Sequence, residues 1–105
     1  MLVYLYRWRI KAGFEDQFVD AWSAITKYYR KRPGSLGSRL HKGSDGIWYT
    51  YAQWNSPGDR EAAFAGTPDH PDRERMKEAV DEYLGETILE VQADFVAAPA
   101  RASAT

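Results

Sequence analysis

Two short stretches constrain this chain most: LVYLYRWRI at residues 2–10 and IWYTYAQW at residues 47–54. Both are rich enough in aromatic and β-branched residues to run as strands, yet neither keeps one parity polar. In the first, Leu2, Tyr4, Tyr6, Trp8 and Ile10 share one face, and Val3, Leu5, Arg7 and Arg9 share the other. In the second, Trp48 and Trp54 point one way while Tyr49 and Tyr51 point the other. A sheet with helices on one side normally wets its second face. Here that face carries an apolar patch of roughly several hundred Å², more than a monomer usually leaves uncovered. The economical cover is a second copy of the chain, sheet against sheet about a two-fold axis. Otherwise the aromatics sit at sheet edges with their polar tips in water.

The segments between these stretches supply the rest of the fold. Residues 15–32 read as a helix with Phe14, Phe18, Trp22, Ile25 and Tyr29 as its apolar stripe. Glu15 and Asp16 open it, Lys27, Arg30, Lys31 and Arg32 close it, as the helix dipole prefers, and Pro33-Gly34 stops it. Residues 35–42 read as a second strand, GSDG at 43–46 as a turn, and 47–54 as a third strand. An even-numbered loop would put Arg39 and His41 on the face of Trp48, Thr50, Ala52 and Trp54. Leu36 and Leu40 would then join Ile47, Tyr49 and Tyr51, and one residue more or less reverses the assignment. Ser56 before Pro57 is placed to cap a short helix at about 57–65 that ends at Gly66. A second helix restarts near Pro71, with Met76, Ala79, Val80, Tyr83 and Leu84 as its buried stripe. A last strand is expected at 87–97, with Leu89, Val91, Ala93 and Phe95 on one face and Ile88, Glu90, Gln92 and Asp94 on the other. The order β-α-β-β-α-β is the ferredoxin-like α+β plan, an antiparallel sheet with its helices on one face. One domain is expected over residues 1–97, with the small, polar segment 98–105 as a disordered tail.

Composition narrows the function. A net charge of −1 offers no basic field for nucleic acid. The chain has no cysteine, which excludes disulfides and thiolate-ligated metals and suits a reducing compartment. No signal peptide opens it and no apolar run reaches the ~20 residues of a membrane helix. The reading is a soluble protein of the cytoplasm. No His and acidic cluster has metal spacing, and the glycines of PGSLGS lead into a strand rather than a helix N-terminus, so neither a metal nor a phosphate cradle is indicated. Asp69 and Asp72 flank a helix start and read as capping residues.

KAGFEDQF after the first strand, PGSLGSRLH into the second and YAQW closing the third resemble the antibiotic biosynthesis monooxygenase domain of the dimeric α/β-barrel superfamily, over about residues 2–96. The resemblance implies a ferredoxin-like protomer, a sheet-to-sheet homodimer and a pocket between sheet and helices in each protomer. It implies cofactor-independent oxidation of an aromatic phenol, quinol or polyketide-like substrate by O2. A non-catalytic ligand-binding or stress-related dimer is the alternative on the same fold. The haem-degrading branch of the family carries an Asn on the helix-facing side of the first strand, where this chain has Tyr4, Tyr6 and Trp8. It also uses a His after the third strand, where this chain offers His70 between Pro68 and Pro71; haem degradation is therefore a distant third. The phenol-oxidising branch relies on an Asn, a Trp and an Arg, residue types that Asn55, Trp54 and Arg39 supply.

Chemistry without a cofactor needs a base, an anion stabiliser and aromatic walls that exclude water. His41 is the base by residue type, unless it is simply a solvated strand end. Arg39 is the anion stabiliser, unless it pairs across a dimer with Glu90 or Asp94, as Arg7 and Arg9 are expected to. Tyr49 and Tyr51 are candidate donors to a substrate oxygen. Trp54 joins Tyr6, Trp8, Trp22 and Tyr29 as candidate walls of a flat aromatic slot, unless these rings only fill the core.

Overall fold

A computed structural model describes residues 1–65 and 70–97. Its elements are β1 (Leu2–Ile10), α1 (Glu15–Arg30), β2 (Ser35–Lys42), β3 (Trp48–Trp54), α2 (Pro57–Ala65), α3 (Asp72–Ala79) and β4 (Val80–Glu90). The four strands form one antiparallel sheet in the order β2-β3-β1-β4, which is the ferredoxin-like arrangement. The tail expected at 98–105, the stop at Gly66 and the cap at Asp69 lie outside the described residues. Among the described residues no helix is long and apolar enough to cross a membrane.

Helix α1 begins where Glu15 reaches back to accept a hydrogen bond from the Gly13 N–H at 2.7 Å. It ends at Arg30, two residues short of the expected Arg32. Gly34 follows at φ +79°, and any side chain there would also run into Asp59. The stripe of α1 faces the sheet: Phe18 is fully buried and meets Trp8 and Trp48 edge-on at 5.5 and 5.9 Å. Tyr4, Ala52, Trp54 and Ala63 form a second buried group beside it. Ser56 caps α2 as expected, its Oγ accepting from the Asp59 N–H at 3.2 Å.

Two expectations are corrected. The first concerns register. The β2–β3 loop is five residues long, 43–47, closed by the Gly43 N–H on the Ile47 carbonyl at 2.7 Å. Asp45 stiffens it by accepting from the Ile47 N–H at 2.9 Å and from the Tyr49 hydroxyl at 2.6 Å. An odd loop sets Lys42 against Trp48, His41 against Tyr49 and Arg39 against Tyr51. Because opposite residues share a face, Arg39 and His41 stand with Tyr49 and Tyr51 on the face away from the helices. Leu40 and Ser38 stand with Trp48, Thr50 and Ala52 beneath them.

The second correction concerns the C-terminal third. Helix α3 stops at Ala79, and Val80 turns into the extended region at φ −83°, ψ 124°. Strand β4 then runs from Val80 to Glu90, so Tyr83 and Leu84 lie on a strand and residues 91–97 on none. Strand β1 is central, and its second edge needs a hydrogen-bonded partner. Tertiary pairing outranks the helical spacing of Val80, Tyr83 and Leu84. Two register shifts, at Arg7/Trp8 and Arg9/Ile10, fit the segment to β1, with Gly85 at φ +97° near the first.

Candidate functional site

The sheet has a cavity on each side. On the helix side, a cleft of about 210 Å³ lies between α1, α2 and α3 and the sheet. Its floor is Trp8, Thr50, Ala52 and Trp54, all buried. Alternation in β1 and β3 turns these residues inward together. Its walls include Tyr6, Trp22, Ile25, Tyr29, Phe64 and Met76. Tyr6 and Trp8 stack at 5.7 Å, and Tyr29 and Phe64 meet at 4.9 Å. Phe64 is 41% exposed and stands at the opening. This is a flat-sided aromatic space of the kind that holds a planar ring.

Two guanidinium groups reach into it. Arg60, on α2, lies 4.2 Å over the Tyr4 ring and 4.6 Å over Phe64. Its Nη2 donates to the Tyr6 hydroxyl at 2.7 Å and meets Glu86 at 3.2 Å. Burial works against the Arg60 cation, but the Tyr6 oxygen and Glu86 outweigh it and hold its pKa above the ordinary arginine value. Burial in turn pushes the Tyr6 phenol above its ordinary value, with Arg60 only partly offsetting it. Tyr6 therefore stays a neutral phenol at physiological pH. Arg73, on α3, donates through Nη2 to the Tyr29 hydroxyl and lies 5.7 Å from the centre of that ring. The Nε of each arginine and Thr50 Oγ1 on the floor are buried without a hydrogen-bond partner. Among the described residues no carboxylate and no imidazole lines this cavity.

The outer face holds a wider concavity of about 780 Å³. Val3, Leu36, Arg39, His41, Tyr51 and Gln53 line it on the sheet, and Val91, Ala93, Asp94 and Val96 line it from the segment after β4. His41 is exposed, its Nδ1 3.4 Å from the Tyr49 carbonyl oxygen. The Tyr49 hydroxyl is committed to Asp45, which raises the Tyr49 pKa and lowers that of Asp45. Arg9 pairs with Glu82 at 3.4 Å and Arg7 donates to Thr87 Oγ1 at 3.2 Å, so both find partners on β4 of their own chain.

The structure thus divides the residues singled out by sequence. Tyr6, Trp8, Trp22, Tyr29 and Trp54 come together in the inner cavity. Arg39, His41, Tyr49 and Tyr51 stand on the opposite side of the sheet. The inner cations, Arg60 and Arg73, were missed. The available signal was Arg60 and Phe64 one helical turn apart on α2, which puts a cation and a ring on one face. His70 precedes α3, and its Nδ1 lies 3.0 Å from the Asp72 backbone nitrogen.

The model of a family described as antibiotic biosynthesis monooxygenase matches residues 1–83. No curated protein matches the chain. Among solved structures, SnoaB, a cofactor-independent oxygenase from Streptomyces nogalater, has a TM-score of 0.75 at 11% identity, with 90% of this chain and 95% of SnoaB covered. A candidate antibiotic biosynthesis monooxygenase from Nitrosomonas europaea gives 0.75 at 15% identity, covering 89% of this chain and 100% of that one. Rv0793 from Mycobacterium tuberculosis gives 0.71 at 13% identity, covering 90% and 98%. At these identities the likeness to solved structures is one of fold.

Proposed function

The chain belongs to the antibiotic biosynthesis monooxygenase family, and from that premise we propose that it oxidises a small phenol, quinol or polyketide-like aromatic with O2, without flavin or metal, beneath its helices. The observation that carries this reading is Arg60, a cation held among aromatic rings at the cavity. A phenol in the slot has its oxygen against the guanidinium and the Tyr6 hydroxyl. The cation favours the phenolate, so the substrate gives its proton to water at the open mouth and no side-chain base is needed.

The phenolate passes one electron to O2, giving a phenoxyl radical and superoxide, both beside the same cation. Their recombination at the ring carbon opposite the oxygen forms a C–O bond. The O–O bond then breaks. The distal oxygen leaves as water with the phenol proton and the proton from that carbon, and the ring becomes a quinone. The aromatic walls keep bulk water from the radicals, and Thr50 Oγ1 offers the new oxygen a hydrogen bond. The volume of about 210 Å³ lies below the roughly 300–1,000 Å³ of drug-sized pockets, which favours substrates of one or two rings.

The test is O2 uptake by purified protein in chelator-treated buffer with naphthol and hydroxynaphthoic acid. The expected result is one O2 consumed per quinone formed, with no hydrogen peroxide. No uptake above buffer with any of them contradicts the reading. A ligand-binding protein on the same fold is the second reading, favoured by the lack of a carboxylate or imidazole among the described residues that line the cavity; it gives binding without O2 consumption.

The outer concavity belongs to the second part of the proposal, a homodimer through the sheet face. Leu36, Leu89, Phe95 and Val96 are exposed on or beside it, Phe95 and Val96 at 96% and 89%. Arg39 has no carboxylate partner among the described residues, while Glu90 and Asp94 line the same hollow. Sedimentation at micromolar concentration is expected to show a particle of two chains, and Leu89→Glu to shift it toward one. A wild-type particle of a single chain overturns the dimer.

A further inference from the structure

We infer that Arg73 is a carboxylate-binding residue, so that the ring entering the inner cavity carries an acid group in addition to its phenol. The inference rests on the cavity being the ligand site, as proposed above, and not on its catalysing oxidation. It starts from a difference between two arginines in one aromatic cleft. Arg60 has a counter-ion, Glu86, at 3.2 Å. Among the described residues Arg73 has none: its neighbours are the Tyr29 hydroxyl and the Tyr29 ring. Among the described residues no carboxylate lies within ion-pair distance of it, although Asp72 and Glu74 are its chain neighbours. Asp72 instead faces Arg75 at 2.8 Å and the His70 ring at 3.5 Å, and Glu74 faces Lys77 at 3.7 Å.

An uncompensated guanidinium at an apolar cleft is costly, and its Nε is buried and unpaired. A ligand carboxylate would neutralise the charge and take the fork of N–H donors in a bidentate grip. A phosphate dianion fits less well, because among the described residues the one other cation lining the cleft is Arg60, which faces the phenol. Arg60 then faces the phenol oxygen and Arg73 the acid, fixing both ends of the ring. The ligand class is a hydroxyaryl carboxylate.

The experiment compares hydroxynaphthoic acid with its methyl ester by quenching of the Trp8, Trp22 and Trp54 fluorescence, under argon so that binding is read apart from oxidation. The acid is expected to bind on the order of tenfold to a hundredfold more tightly than the ester. Arg73→Gln is expected to bring the acid down to the ester's affinity and leave the ester unchanged. Arg73→Lys, which keeps the charge but not the fork, is expected to fall between. Equal binding of acid and ester by the wild type overturns the inference, as does an acid preference that survives Arg73→Gln, or failure of the acid to bind. Arg73-dependent binding of the acid without O2 uptake in air upholds the inference and sinks the oxygenase reading instead.

Discussion

Arg60→Gln is expected to lower kcat/KM for phenol oxidation at neutral pH by roughly a hundredfold to a thousandfold, the scale of losing one preorganised group that stabilises developing charge. The reason is geometric. Arg60 is held by the rings of Tyr4 and Phe64 at 4.2 and 4.6 Å and by the Tyr6 hydroxyl at 2.7 Å, so its charge needs no rearrangement when the phenolate forms. The pH dependence follows with a definite sign. A cation beside the phenol lowers the substrate's pKa, so the wild-type rate rises through a limb below the pKa of free substrate. Without Arg60 that limb should move up by about one to two pH units, the size of a charge-assisted hydrogen bond. Tyr6 does not supply the limb, since burial keeps its phenol protonated above the usual tyrosine range. Arg60→Lys should fall between, keeping charge but losing the flat stacking group. His41→Ala should leave rate and limb unchanged, because His41 stands across the sheet. An unchanged limb in Arg60→Gln, or a shifted one in His41→Ala, moves the chemistry to the other face.

Phe18→Ala is expected to destabilise the protein by about 3–5 kcal/mol, the range for removing a buried aromatic ring. Phe18 is fully buried and ties α1 to β1 and β3 through Trp8 and Trp48. Against a total stability of roughly 5–15 kcal/mol this is a large fraction. It corresponds to a Tm lowered by roughly 15–25 °C at fixed protein concentration. Val19→Ala, one residue away and 40% exposed, should change stability by less than about 1 kcal/mol. Denaturant titration of both variants measures this, and a Phe18→Ala loss near that of Val19→Ala would place the core elsewhere.

Legibility in the sequence depended on how many residues each feature needed. β1, α1 and the first hairpin were readable because alternation and the Phe14–Tyr29 stripe repeat over many positions. The face on which His41 stands was not, because it turns on whether one residue, Ile47, belongs to the loop. The backbone bond from Gly43 to Ile47 and the Asp45 side chain settle that, and neither shows as a periodicity. The helix-to-strand change at Val80 was hidden for another reason. Met76, Ala79, Val80, Tyr83 and Leu84 satisfy a helical stripe, while β4 exists because β1 needs a partner along its whole second edge. The walls of the cavity were legible as aromatics. Its cations were not, since Arg60 and Arg73 sit in charged helical stretches, DRE and DRERM, that read as solvent-facing. Only the packing of α2 and α3 over Trp54 and Tyr29 turns them inward.

The most direct test of the proposed site is a crystal structure grown without oxygen in the presence of hydroxynaphthoic acid. The expected density is a planar ring between Trp8, Trp22 and Trp54, with its phenol oxygen against Arg60 and Tyr6. A ring seated instead beside His41 and Arg39 on the outer face, with the inner cleft free of ligand, would contradict the account.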